Sequence, residues 1–491
     1  MNRSLKGYRV TLPRAHFQLL GLSVTLKDLT VRQQAHPDPP VAVIPRLHAS
    51  VQWRELLRLR LVGDFLFDHP KIYANLPQLQ QEAAERIPVT DRGWQQALEK
   101  VYPLKINLLR IDDGEITYID EDPEHPLRIT RLVARANNIR NIHSREHVYP
   151  SPIWAEAAVF ETGRLRMDGH ADFLAEPFPG FHFLLKLKNV PVERIRPLTA
   201  RSNMEIRGGV LETAGEIEYS AKTKTAHLTD LTISGMRLDY VHTLSTASAE
   251  AERVQTVARA AKKVTNEPGV LLKLDRLELA RCEIGWVNKA RTPAYRLFLS
   301  GVHLTVANFS NHFEQGPAEG RLKARFMGSG ATSATARFRP ETDGPDFDVK
   351  VAIEGTQLAA MNDLLRAYGK FDVTSGDFSF YSELHFKNGQ VTGYVKPLFR
   401  DMKVYDKRQD AEKGLFRKLY EKLVGGVAGL LQNRSTERVA TQASIEGPVG
   451  NAKASTWEII ARLIENAFFR AILPGLDEAI SPKNGKIGRS S

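Results

Sequence analysis

His143-Ser144-Arg145-Glu146-His147 is the segment whose residue types and spacing come nearest to catalysis. It matches H-x-x-E-H, a pattern in which two imidazoles hold zinc and a glutamate moves a proton. That chemistry needs both histidines and the glutamate on one helix face, plus a distant third ligand. Here Tyr149-Pro150-Ser151-Pro152 follows, which favours a loop over a helix. With 14 histidines in 491 residues, a chance match is unsurprising. A zinc hydrolase using His143, Glu146 and His147 is therefore the remote alternative. No G-x-S-x-G, P-loop or dinucleotide fingerprint is present. Gly328-Ser329-Gly330 lacks a following lysine, and Asp112-Asp113 and Asp120-Glu121-Asp122 read as solvated acidic turns. Nothing assembles a nucleophile, a base and an orienting acid, so the expectation is no enzymatic activity and no cofactor.

Composition narrows the alternatives. A single cysteine, Cys282, excludes an internal disulfide and a cysteine-based zinc site. The net charge of +11 suits a solvated basic surface or an acidic partner, either anionic lipid or nucleic acid. Phe178, Phe181 and Phe183 lie near Lys186 and Lys188, the mixture that single-strand readers use. The same aromatics are equally the inner face of a sheet, and nucleic acid is the weaker expectation. No apolar run approaches the 18 or more residues that span a bilayer. Met1–Arg14 carries basic residues but no apolar signal core. Taken literally, the chain is soluble and unexported; a missing upstream segment is the other possibility.

The elements that must position any site come in two copies. The stretch from about residue 103 to 240 recurs about 167 residues later, from about 271 to 406. Leu104-Lys105-Ile106 and Glu115-Ile116 reappear as Leu272-Lys273-Leu274 and Glu283-Ile284. Phe181 answers to Phe347, Leu198 to Leu364, Gly209 to Gly376, and Met236 to Met402. Alternating polar and apolar residues mark strands at 115–120, 181–188, 210–219, 346–353 and 378–386. Asp112-Asp113-Gly114, Asp343-Gly344-Pro345 and Lys387-Asn388-Gly389 read as turns. About eight or nine strands are expected per copy. Leu29-Thr30-Val31, Pro37 and Val41-Ala42-Val43 suggest a partial third copy at the N-terminus. The expected division is 1–102 (partial β copy plus helix), 103–268 (first full repeat with trailing helix), 269–432 (second full repeat with trailing amphipathic helix) and 433–491 (closing strand and C-terminal helix).

Helical spacing appears at 91–101 and 247–264, and within each copy near 192–200 and 358–368. The sharpest helix is expected over 410–431. Phe416, Leu419, Tyr420, Leu423, Val424 and Val427 form one stripe, with Lys413, Arg417, Lys418 and Lys422 on the other side. Such a helix either plugs the end of a sheet or lies on a membrane or partner. The last helix, about 456–473, carries Trp457, Ile460, Ile464, Phe468, Phe469 and Ile472, and would dock on the body, a membrane or a partner protein.

Three stretches resemble the bacterial AsmA-like envelope proteins, in the branch with a duplicated domain of unknown function. They are Trp53-Arg54-Glu55-Leu56-Leu57 with Val62-Gly63-Asp64-Phe65 and Pro70-Lys71-Ile72; Leu104–Asn138 with its copy Leu272–Asn308; and Thr436–Gly475. The resemblance implies an elongated, twisted antiparallel sheet curled into a groove, on the periplasmic side of the inner membrane of a Gram-negative cell. It implies a part in outer-membrane biogenesis or lipid carriage, and brings no catalytic residues. The anchor helix that relatives carry is absent from this chain.

The balance of strands to helices points the same way. Few helices are available to cover some twenty strands, so a one-sided apolar sheet must curl on itself. An unfilled interior is then an apolar trough where each buried methylene gains about 0.8 kcal/mol. The expected protein is mostly β, with a few amphipathic helices including a C-terminal helical cap, and binds phospholipid or another acyl lipid at a membrane surface. The rival is a structural scaffold that joins other envelope proteins through its sheet edges.

Overall fold

The computed structural model describes residues 7–78 (apart from 20, 53, 54, 56 and 58–60), 104–139 (apart from 121), 147–246 (apart from 174, 176–178 and 201), 249, 252, 256, 259, 263–339, 346–369, 372–387, 390–405, 438–440 and 443–448. Strands make up most of them, almost all antiparallel, and helices are few. The expected helices at 91–101, 410–431 and 456–473, the C-terminal cap among them, lie outside the described residues. At 247–264 the described positions are helical. The chain divides into two compact units. Unit 1 comprises Met1–Met236, Asn266–Glu278 and Phe309–Asn311; unit 2 comprises Arg237–Thr265, Leu279–Asn308 and His312–Ser491.

In unit 1 the edge is shared by β1 (Tyr8–Thr11) and β2 (Arg14–Gln18), both paired with β3 (Ser23–Gln33). β3 pairs with β4 (Ala42–Val51), which in turn meets β5 (Leu61–Asp68) and β6 (Lys71–Asn75). β5 and β6 run parallel to β7 (Leu104–Ile119), the exception in an otherwise antiparallel ladder. From β7 the chain meanders through β8 (Leu127–Ile139), β9 (Ser151–Val159), β10 (Gly163–Asp172), β11 (Gly180–Pro191) and β12 (Met204–Tyr219). A 3-10 turn (Val192–Ile195) and a five-residue helix α1 (Arg196–Ala200) connect β11 to β12.

Unit 2 contains a second meander. β15 (Tyr295–Ser310) pairs with β16 (Ala318–Phe326), and the ladder continues through β17 (Gly330–Arg339), β18 (Asp346–Gln357), β19 (Asp372–Lys387) and β20 (Gln390–Tyr405). β21 (Arg438–Ala440) and β22 (Ala443–Pro448) close on β20. A 3-10 turn (Leu358–Met361) and helix α2 (Asn362–Gly369) connect β18 to β19. The boundary between the units falls inside β13 (Lys224–His242) and β14 (Val270–Asn288) and before the last two residues of β15.

Among the described residues each copy holds seven strands, β7–β13 and β14–β20, against the eight or nine expected. The count falls because strands run through positions with turn composition. Asp112-Asp113-Gly114 lies inside β7: Asp113 takes a left-handed φ of 52° and forms a bulge, and the chain continues in the same direction. Such bulges recur in register. Arg131 and Gly301, Asn189 and Gly355, and Asp113 and Arg281 are left-handed at equivalent places. The first two pairs sit at matching register shifts in β8, β11, β15 and β18. Gly209 and Gly376 share a further constraint. A side chain on either would come within 2.8 Å of Met236 or Met402, the facing residues that also answer to each other in sequence.

Candidate functional site

Side chains alternate across a strand, and the strand registers carry that alternation across unit 1. One cross-strand row runs Phe17, Val24, Ala49, Phe65 and Leu109 from β2 to β7. It continues through Ala136, Ile153, Gly169, Phe183 and Ile217 from β8 to β12. The next row, two residues along, contains Leu26, Leu47, Phe67, Ile111, Ala134, Ala155, Met167 and Leu185. Ten neighbouring strands therefore present one apolar face, about 40 Å across at the usual strand spacing. The interleaved row is mainly polar: His16, Thr25, His48, Leu66, Arg110, Arg135, Trp154, Asp168, Leu184 and Glu216.

Most side chains in the apolar rows are half-buried, not sealed; Phe17 is exposed, and Ala136 is buried. At the N-terminal end of the rows, Phe17, Leu19, Leu22, Val24, Val51 and Phe65 line an apolar cavity of about 330 Å³. Unit 2 repeats the pattern. Leu304, Leu322, Ala334, Val351, Ser382, Val395 and Ala443 form a row from β15 to β22. The row beside it, Thr305, Arg321, Thr335, Lys350, Glu383 and Tyr394, points the other way. Its apolar side carries a sealed core, in which Leu358, Met361, Leu364 and Leu365 pack on Phe378 and Phe380. Phe347 stacks on Phe386 at 4.0 Å.

The sequence-predicted residues fare unevenly. Lys413, Phe416, Arg417, Lys418, Leu419, Tyr420, Lys422, Leu423, Val424 and Val427 lie outside the described residues. So do Trp457, Ile460, Ile464, Phe468, Phe469 and Ile472, and so do His143 and Glu146. His147 is described, and its Nδ1 is 2.7 Å from Glu218 Oε1 on β12, where the Tyr149 hydroxyl also donates at 2.9 Å. Burial pushes the Glu218 carboxyl up, but hydrogen bonds from His147 and Tyr149 outweigh it and hold it below the usual range. Among the described residues, no group of three or more His, Cys, Asp or Glu could hold a metal ion.

Phe181 and Phe183 stack at 5.2 Å, and Phe181 stacks on Tyr219 at 5.5 Å. They occupy the apolar face, whereas Lys186 and Lys188, at the other parity of β11, occupy the opposite one. The aromatics and lysines of this strand therefore form no joint platform. Among the described residues, no helix is long and apolar enough to cross a membrane.

Sequence reasoning missed a partly buried charge cluster in unit 2, centred on buried Asp239. Arg296 donates to Asp239 at 2.8 Å and to Glu283 at 2.7 Å, and Arg237 lies 3.3 Å from Asp239. Burial works against the Arg296 charge, yet the bonds from Asp239 and Glu283 hold its guanidinium above the ordinary value. Glu115 and Arg128 stand at the equivalent places in the first copy, 3.9 Å apart. Matching Glu and Arg in both copies was the available signal; Asp239, from another strand, was not legible.

No family model matches the chain, and no curated protein is significantly similar to it.

Proposed function

We propose that this chain is a non-enzymatic, membrane-associated protein of the Gram-negative envelope whose apolar β-face binds or conducts lipid acyl chains. The observation that carries this reading is the unbroken apolar row from Phe17 to Ile217, most of it half-buried. A sheet face built only for folding seals its apolar residues, because exposed apolar area forfeits about 25 cal/mol per Å². An acyl chain laid along the rows would recover that loss without needing any directional partner. The AsmA-like resemblance agrees with this chemistry and supplies the envelope setting, with roles in outer-membrane biogenesis or intermembrane lipid transport.

Native mass spectrometry of protein purified from membranes tests it. Phospholipid or another acyl lipid should co-purify. Ala155→Phe, which adds a ring in the middle of the half-buried face, should displace most of it while the strands stay formed. Lipid-free parent protein would sink the reading. A second reading, a scaffold acting through sheet edges, is favoured by β2, an edge strand whose five residues are all exposed. It predicts captured envelope proteins and no bound lipid.

A further inference from the structure

Among the described residues of unit 1, the turn between β2 and β3 carries the most exposed large apolar side chain, Leu19. Gln18 pairs with Ser23, leaving a four-residue loop closed by a Leu22 N–H to Leu19 carbonyl bond of 3.3 Å. Leu19 is 89% exposed at a turn, where Gly, Asn, Asp and Ser usually stand, and Phe17, in the strand leading into it, is 73% exposed. No charged residue occurs from Phe17 to Leu26. The turn is tied to the body, since Val51 donates to the Leu22 carbonyl at 3.0 Å. Its apolar side chains continue into the cavity and the rows described above.

Behind the turn the chemistry changes sign. Arg14, Lys27 and Arg46 are register neighbours across β2, β3 and β4, on the polar face. They stand four residues back from Ser23, about 13 Å along the strand. Asp28 and Asp68 offset part of this charge, at 2.7 Å from Arg14 and 3.5 Å from Arg46. Residues 1–50 nonetheless hold seven Lys and Arg against two Asp, a net +5 of the chain's +11.

We infer that this hairpin turn docks on an anionic lipid surface, an inference that rests on the membrane-associated reading above and names where the apolar face meets the bilayer. Phe17, Leu19 and Leu22 enter the boundary between headgroups and acyl chains, about 5–10 Å deep. At that depth the basic row stands among the lipid phosphates. Entry stops at the turn, because the unpaired backbone edge of β2 cannot be placed in hydrocarbon. The adjoining cavity then opens at the membrane, so an acyl chain reaches the rows without crossing water.

The test uses the full chain and vesicles of phosphatidylcholine with or without phosphatidylglycerol. The parent protein should co-sediment with the anionic vesicles, less so at high salt. Phe17→Asp with Leu19→Asp should weaken that binding about a hundredfold, the scale of withdrawing two large apolar side chains. Both positions face solvent, so the circular dichroism melt should not move. Leu19→Trp gives a second readout: its fluorescence should shift to the blue and be quenched by brominated acyl chains. Equal vesicle affinity in parent and double Asp variant would overturn the inference, as would indole fluorescence in the Leu19→Trp variant that brominated lipid leaves unquenched. A parent that ignores vesicles yet carries acyl lipid would overturn docking and leave the acyl-chain reading standing. Docking through Leu19 by lipid-free protein would do the reverse. Loss of a homodimer in the double Asp variant, without vesicles, would show that a second copy covers the turn, and would also overturn it.

Discussion

The two copies carry the same strand order and equivalent bulges, yet they treat their apolar faces differently. In the second copy the helical insert is a lid. Leu364 is 5% exposed and Leu358, Met361 and Leu365 are buried with it against Phe378, Phe380 and Val373. Asn362 ties the lid down, donating to the Val373 carbonyl at 3.0 Å and accepting from its N–H at 2.8 Å. In the first copy Leu198, the counterpart of Leu364, is 42% exposed. The reason is legible locally. Arg196-Pro197-Leu198-Thr199-Ala200 supplies one large apolar residue in five, whereas Asn362–Gly369 is a longer, amphipathic helix with adjacent leucines. The 3-10 turn stays anchored in both copies, by Val192 (4% exposed) and Leu358, but the helix after it plugs a core in the second copy and leaves Leu198 at the surface in the first. The apolar face is left half-covered in the first copy and sealed in the second.

The sharpest way to break this contrast is to truncate the paired leucines. Leu364→Ala should destabilise the protein by about 2–4 kcal/mol, because a cavity is left in a closed core. Leu198→Ala should cost under about 0.5 kcal/mol, as surface changes do. Denaturant unfolding of both variants gives the comparison directly, and equal losses would show that the first copy is sealed too.

The charge clusters offer a second pair. Arg296→Met would leave Asp239, 6% exposed, without its strongest partner. Arg296 is 22% exposed and Arg237 remains 3.3 Å from Asp239, so the loss should be about 2 kcal/mol, the scale of charged hydrogen bonds removed from a partly buried site. Arg128→Met, at the looser and more exposed counterpart, should cost under about 1 kcal/mol. The same unfolding measurement decides it.

The glycines sharpen the comparison by predicting sameness. Gly209 and Gly376 have φ of 92° and 126°, and each faces its methionine within 2.8 Å of where a Cβ would stand. Gly209→Ala and Gly376→Ala should each destabilise by about 1–3 kcal/mol, from the backbone strain alone. If only one is sensitive, the bulges of the two copies are not equivalent in energy.

How much of this could be read from the residues varies with range. The duplication was plain from matched residues, and the faces of individual strands such as 181–188 and 378–386 were plain from their alternation. The internal helices fell where 192–200 and 358–368 placed them. The bulges were not legible: Asp112-Asp113-Gly114 has turn composition, and only the neighbouring strand decides whether the chain reverses. Register was not legible either, so a row from Phe17 to Ile217 could not be assembled from ten separate alternating segments. His147 carried a metal-ligand pattern, but its partner Glu218 is 71 residues away and joined to it only by the fold.

That last pair yields the smallest expected effect, and one confined to the first copy. The Glu218 carboxyl is held below its ordinary range by His147 and Tyr149, against the opposing pull of burial. A carboxyl with a lowered folded-state pKa binds protons more readily when unfolded. Its contribution is therefore fully present above the unfolded-state value, near pH 4, and is lost as the pH falls through the folded-state value. Glu218→Gln should remove that dependence, so the parent loses its advantage over the variant on acidification below about pH 4. With the His147 side chain 57% exposed, screening keeps the difference under about 1 kcal/mol at neutral pH. Denaturant midpoints of parent and variant between pH 3 and pH 7 measure it. Parallel curves over that range would mean that the contact between His147 and Glu218 contributes nothing to holding the 147–149 segment against β12.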